Sequence, residues 1–190
     1  GKKFVIDKIN NKFQLFIYDI LITETGFKVN YSDKWFDEKY VTLYDLKTIE
    51  NNSIREAVAR QEAIGLQAVT DGEFRRDWWH LDFMAQLDGV TTVVNPGPKF
   101  GGTGEQPPIP SVTGRIGCSR PVMLQDFVFL KENTSETAKF TIPSPSMLHL
   151  RGGRGSISKD VYPDLEEFWA DAAAAYRKAI KYLADAGCTY

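Results

Sequence analysis

One local pattern, used twice, does most to constrain how this chain can fold: a helical run, a glycine that ends it, and a short stretch of strand length. In the first copy Ile54, Val58, Gln61 and Ile64 recur at helical spacing, and Gly65 stands where a left-handed C-cap is needed. Leu66 to Thr70 is then a short, mostly apolar run that Asp71-Gly72 breaks. In the second copy residues 163–186 read as a helix. Pro163 suits its first position, Asp164, Glu166 and Glu167 complement the positive end of the dipole, and Gly187 stops it. Leu165, Phe168, Trp169, Ala172, Tyr176, Ile180 and Leu183 form its apolar stripe, and Cys188-Thr189-Tyr190 begins the next strand. Two such copies predict consecutive βα units over residues 54–190, with helices flanking a parallel sheet.

The loop after the first strand is dense in charge: Asp71, Glu73, Arg75, Arg76 and Asp77, followed by Trp78-Trp79-His80. In parallel α/β folds, loops at the carboxyl ends of strands carry the chemistry. Carboxylates and guanidiniums this close can grip a zwitterion, with Glu73 or Asp71 on an ammonium and an arginine bidentate on a carboxylate. A solvated loop whose charges pair among themselves is the alternative. Of the two tryptophans, one is expected to face the core and one to wall a pocket.

Composition divides the chain. Residues 1–51 contain no Ala, Arg or Pro, whereas the segment after Ser53 is rich in Ala, Arg, Gly and Pro. Phe4 to Ile6, Phe13 to Ile22, Phe27 to Tyr31 and Tyr40 to Tyr44 read as strands, with Asn10-Asn11 as a turn. The expected domains are therefore a β-rich segment, 1–51, and an α/β segment, 52–190. A net charge of -2 argues against general nucleic-acid binding. No apolar run approaches the ~18 residues of a membrane span, no signal peptide is visible, and two cysteines make no disulfide framework. A soluble, cytoplasmic chain is expected.

Residues 95–110 are rich in Pro and Gly, so a long loop or insertion is expected there. Gly101-Gly102-Thr103-Gly104 lacks the Gly-Lys-Ser/Thr of a phosphate loop. One Arg151-Gly152-Gly153-Arg154-Gly155 run is thin support for RNA binding. It reads instead as an anion-binding loop or a plain turn.

Four stretches together resemble the cobalamin-independent methionine synthases, especially the shorter proteins similar to their C-terminal catalytic barrel. They are EAVARQEAIGLQAVTDGEFRRD at 56–77, GRIGCSRP at 114–121, IPSPSML at 142–148, and 162–190 ending in LADAGCTY. The resemblance implies a (β/α)8 barrel of TIM type. It implies a methyltransferase in which a zinc-bound thiolate, such as that of homocysteine, takes a methyl group from a folate-type donor. Glu73 resembles the glutamate that grips the amino group of the thiol substrate, and Asp71 and Arg76 share its loop. Ser144 and Ser146 would lie after a later barrel strand, near substrate or donor.

The chain departs from this family in two places. The family's zinc ligands are a His-x-Cys pair, then a Glu and another Cys, all from the second half of its barrel, and no His-x-Cys occurs here. A catalytic zinc usually takes three protein ligands. The family pattern gives Cys118, Cys188, His80 and His149 no ligand role, so packing or surface positions are expected for them. The family's opening strand, with its Gly-Ser turn and Pro-Arg pair, has no counterpart in residues 1–51. The expectation is the N-terminal half of a barrel behind a different β-rich segment, with zinc ligands absent and no residue assigned a catalytic role. Half a barrel has open strand edges, which favour a capping segment or a homo-oligomer. A non-catalytic binding module, or another barrel enzyme acting on an anion, stays open as an alternative.

Overall fold

The computed structural model describes residues 2–9, 12–23, 26–30 and 43–45 as backbone, and residues 46–95 and 108–190 in full. It forms two compact units, residues 1–52 and 53–190.

In the first unit β1 (Lys2–Ile9), β2 (Lys12–Thr23) and β3 (Gly26–Asn30) make an antiparallel sheet in chain order. Its register runs from Lys2 opposite Asp19 to Ile9 opposite Lys12, and from Asp19 opposite Asn30 to Thr23 opposite Gly26. The turn expected at Asn10-Asn11 lies outside the described residues. The strand expected at Tyr40 to Tyr44 is corrected: Leu43 and Tyr44 open helix α1 (Leu43–Ala63), and 40–42 lie outside the described residues. Leu43, Leu46 and Ile49 stand three apart, and this helical period overrides the strand preference of Val41-Thr42.

In the second unit the last turns of α1 bury Ile54 and Val58, and Gly65, at φ +82°, turns the chain out of the helix. Ile64, expected on the same stripe, lies past the helix end and is exposed. The following strand, β4 (Ala68–Val69), pairs in parallel with β7 (Thr137–Ala138). Beyond the pair, the Lys139 amide donates to the Val69 carbonyl at 2.8 Å and the Phe140 amide to the Tyr190 carbonyl at 3.0 Å. Successive amides of an extended chain point to opposite sides. Tyr190 therefore sits across this segment from β4, so the order in space follows the order in sequence. Cys188 to Tyr190 is held at this contact and is not paired as a strand.

Between the two parallel strands stands an element that consecutive βα units do not include. Short helix α2 (Leu81–Met84) leads into β5 (Asp88–Val93), which pairs antiparallel with β6 (Ile109–Gly117). The Pro- and Gly-rich stretch joins these two strands, and β6 starts inside it, with Pro110 opposite Thr92. Proline is tolerated there because it stands at the strand's opening.

Helix α3 (Leu124–Glu132) precedes β7; short α4 (Met147–Leu150) and a 3-10 turn (Gly153–Ser156) follow it, and α5 (Leu165–Asp185) closes the unit. Asp164 is the N-cap of α5, its carboxylate accepting from the Glu166 amide at 2.9 Å, so Pro163 precedes the cap and is not the first helical residue. The buried face carries Phe168, Ala172, Ala175, Tyr176, Ala179 and Leu183. Trp169 and Ile180 fall outside it, at 39% and 50% exposure. Three alanines let the helix approach its neighbours closely, which rotates the buried face away from those two bulky residues.

A polar clip fixes α5 to β6. The Tyr162 hydroxyl accepts from the Ile116 amide at 2.7 Å and donates to Asp171 Oδ2 at 2.6 Å. Arg115 reaches Glu167 at 2.7 Å and Asp171 at 2.9 Å. Burial, and then the bond to Asp171, push the Tyr162 hydroxyl up to about 12.

Candidate functional site at the end of β4

The end of β4 is held by a side chain that imitates a neighbouring strand. Gln61 of α1 donates from Nε2 to the Thr70 carbonyl at 2.9 Å and accepts from the Thr70 amide at Oε1 at 3.0 Å. Both backbone polar groups of the residue that follows β4 are thereby satisfied where sheet pairing stops. The loop then folds on itself: Thr70 Oγ1 accepts from the Gly72 amide at 3.3 Å, and Asp71 Oδ1 from the Glu73 amide at 3.0 Å. Such short-range side-chain bonds stabilise tight turns.

Two successive residues in this turn adopt left-handed backbone, Gly72 at φ 67° and Glu73 at φ 58°. A Cβ at residue 72 would stand 2.8 Å from the Phe74 ring. For a residue with a Cβ such as Glu73 that conformation carries strain, which neighbouring contacts must hold, and strain of this kind concentrates at ligand sites.

Arg76 supplies those contacts. Its guanidinium donates to Glu73 Oε1 at 3.1 Å, to the Trp79 carbonyl at 3.2 Å and to the Thr141 carbonyl at 2.8 Å. Its side chain is 1% exposed, against 38% for Glu73. Thr141 belongs to the segment after β7, so Arg76 ties together the loops that leave the two parallel strands. Arg75 is committed elsewhere, to Asp126 Oδ1 at 3.0 Å and to the Phe129 ring. Both guanidiniums thus serve protein acceptors, whereas Glu73 offers its second oxygen to a half-exposed surface.

Asp71 is buried, and its Oδ2 has no hydrogen-bond partner among the described residues. A buried carboxylate oxygen without a partner carries a desolvation cost. Ser144 and Ser146 are exposed and bond to each other, oxygen to oxygen, at 2.9 Å. They lie three and five residues past Thr141, on the segment that Arg76 anchors. The two serines therefore follow the segment that Arg76 holds to the loop after β4, and no direct contact joins Glu73 to either serine among the described contacts.

Trp78 packs against the core and Trp79 is 43% exposed, with its ring centroid 4.8 Å from that of His80. His80 is buried, neither ring nitrogen has a partner among the described residues, and burial together with Arg151 lowers its pKa below the ordinary histidine value. Sequence reasoning missed the role of Gln61. Its one signal was a polar amide on an otherwise apolar helical stripe.

No family model matches the chain. It is 44% identical over 152 residues to the uncharacterized protein YxjH of Bacillus subtilis (strain 168), and 42% identical over 153 residues to YxjG of the same organism. Each match covers 79% of this chain and 40% of the relative. The crystal structure of a candidate vitamin-B12 independent methionine synthase from Listeria monocytogenes superposes with a TM-score of 0.63 at 41% identity, covering 79% of this chain and 42% of that one. A B12-independent methionine synthase from Shewanella sp. W3-18-1, solved in complex with selenomethionine, superposes at 0.58 with 22% identity, covering 81% and 42%. Both solved neighbours bear the name methionine synthase. The fold here is mixed α/β with small sheets, like part of those structures, and the matched region spans well under half the length of each of these four proteins.

Among the described residues no three His, Cys, Asp or Glu side chains gather closely enough to hold a metal, and no helix is long and apolar enough to cross a membrane. Cys118 is buried, and neither it nor Cys188 forms a disulfide.

Proposed function

We propose that residues 53–190 belong to a methionine-synthase-type barrel and supply its amino-acid thiol site, in a cytoplasmic methyltransferase. The substrate would be a thiol such as homocysteine and the donor a methylated folate or similar compound. The observation that carries this reading is Glu73: a strained, half-exposed carboxylate at a strand end, held on one oxygen by a buried arginine, in a chain 41% identical to a candidate methionine synthase.

Each residue then has a task. Glu73 accepts the substrate ammonium on its unengaged oxygen. Asp71 holds the turn through Oδ1 and offers its buried Oδ2 to a donor. Arg76 positions Glu73 and joins the two loops, and the Ser144 and Ser146 hydroxyls offer exposed hydrogen bonds to substrate or donor. The zinc that such chemistry uses does not fit the described residues, since they contain no ligand set for it. We propose that any such metal takes its ligands from outside the described residues.

Glu73→Gln tests the reading. The amide oxygen can still accept from Arg76, so the fold should hold, while the charge that pairs with an ammonium is gone. A charge-assisted bond contributes roughly 1.5–3 kcal/mol, which at ~1.4 kcal/mol per decade predicts homocysteine affinity weakened about ten- to a hundredfold by calorimetric titration. A large drop in Tm with unchanged affinity would assign Glu73 a structural role and end the proposal.

A further inference from the structure

The Arg151-Gly152-Gly153-Arg154-Gly155 run is not absorbed by the site above, and its two arginines have different roles. Arg154 is consumed by its own loop, with Nη1 donating to the Ile157 carbonyl at 2.8 Å and Nη2 to the Tyr162 carbonyl. The loop is stitched to β6 by the Ser158 amide, which donates to the Val112 carbonyl at 2.9 Å, and closed on itself by Ser156 Oγ, which donates to the Gly153 carbonyl at 2.9 Å. Gly152 is required by this tightness: a Cβ there would stand 2.4 Å from Ser156 Cβ. A rigid loop with one arginine locked inward does not behave as a flexible RNA-binding segment.

Arg151 is the contrast. It is exposed and has no ion-pair or hydrogen-bond partner among the described residues. It stands at the wall of a cavity of about 430 Å³, whose other walls include Val93, Val94, Ile109, Ser111 and Gly155. That volume lies in the range of small-molecule sites, ~300–1,000 Å³, and an apolar lining with a few polar groups is their usual character. None of Asp71, Glu73, Arg76, Ser144 and Ser146 lines it.

We propose that this cavity is a second small-molecule site, taking a ligand with an apolar body and one carboxylate or phosphate group. The apolar body lies against Val93, Val94 and Ile109 of the β5–β6 hairpin. The anion pairs with Arg151, and the Ser111 hydroxyl lies within the same lining. Gly155 leaves room for the ligand, since a Cβ there would meet no atom within 4 Å. Burial first, and Arg151 in addition, lower the proton affinity of His80, so neutralising the Arg151 charge with a bound anion raises the His80 pKa and gives a spectroscopic reporter.

The test uses hexanoate as probe, hexan-1-ol as its uncharged match and inorganic phosphate as an anion without an apolar body, followed by amide chemical shifts. Hexanoate is expected to move the resonances of Ser111, Gly152 and Gly155 saturably, to raise the His80 titration midpoint, and to bind at least tenfold more tightly than either control. Arg151→Gln should weaken hexanoate at least tenfold while leaving hexan-1-ol unchanged. Gly155→Leu, which fills the cavity, should abolish binding of both. Equal affinity for hexanoate and hexan-1-ol, an unaffected Arg151→Gln variant, or no saturable shift at these residues would each overturn the proposal. Arg151 is on the surface, so its replacement keeps the test decisive even if Gly155→Leu fails to fold.

Discussion

Replacing Arg76 by glutamine removes the group that holds the site loop to the segment after β7. The guanidinium is 1% exposed and serves three acceptors. Its bonds to the Trp79 and Thr141 carbonyls are charge-assisted, worth about 1.5–3 kcal/mol each, and a shorter neutral amide cannot span both. The pair with Glu73 adds less, about 1 kcal/mol or under, because Glu73 is 38% exposed and water can replace the arginine. The sum is roughly 3–7 kcal/mol, or on the order of 10–25 °C in Tm for a unit of this size. Differential scanning calorimetry measures the loss. Hydrogen exchange locates it, with faster exchange expected at the amides of Glu73 to Arg76 and of residues 139–142. Arg76→Lys, which keeps the charge and one bond, should fall between wild type and Arg76→Gln. A Tm within about 2 °C of wild type in Arg76→Gln, small beside the shift expected for the loss of even one such bond, with exchange unchanged in both loops, would show that the guanidinium does not join them.

Other contacts carry further expected outcomes. Gln61→Ala leaves the Thr70 amide and carbonyl without their partner and should cost about 1–3 kcal/mol, with faster exchange at Thr70; an unchanged urea midpoint would refute the clamp. Tyr162→Phe strands the buried Ile116 amide, so a loss of about 1–3 kcal/mol is expected by urea titration, and a neutral effect would count against the clip. The Tyr162 hydroxyl also predicts a pH dependence. Its folded pKa of about 12 lies above the ordinary 10.0, so its contribution is fully present below pH 10 and is lost as pH rises toward 12. At ~1.36 kcal/mol per decade of proton affinity, that is about 2–3 kcal/mol. Urea titrations at pH 9 and pH 11.5 should show this fall in wild type and a smaller one in Tyr162→Phe; equal falls in both would sink it.

Sequence alone settles the elements whose signal is local. Gly65 and Gly187 end helices because only a residue without a Cβ takes their backbone angles without strain, and that requirement is written at single positions. The three N-terminal strands and α5 were legible for a similar reason, as runs of one period long enough to outweigh noise. The charged loop after Val69 was legible as a candidate site because it follows a strand end. What the loop does was not. Arg76 reads in the sequence either as a guanidinium for substrate or as an ion-pair partner within its own loop, and its commitment to Thr141, 65 residues away, exists only once β4 and β7 lie side by side. Gln61 as a backbone mimic, the antiparallel β5–β6 hairpin and the rotation of α5 that exposes Trp169 and Ile180 were likewise invisible. Each depends on which surfaces meet, and a single chain's periodicity says how wide an apolar face is without saying what it packs against. The division of labour between Arg151 and Arg154 is the plainest case: two identical side chains three residues apart, one bound by carbonyls that folding brings to it and one left facing a cavity.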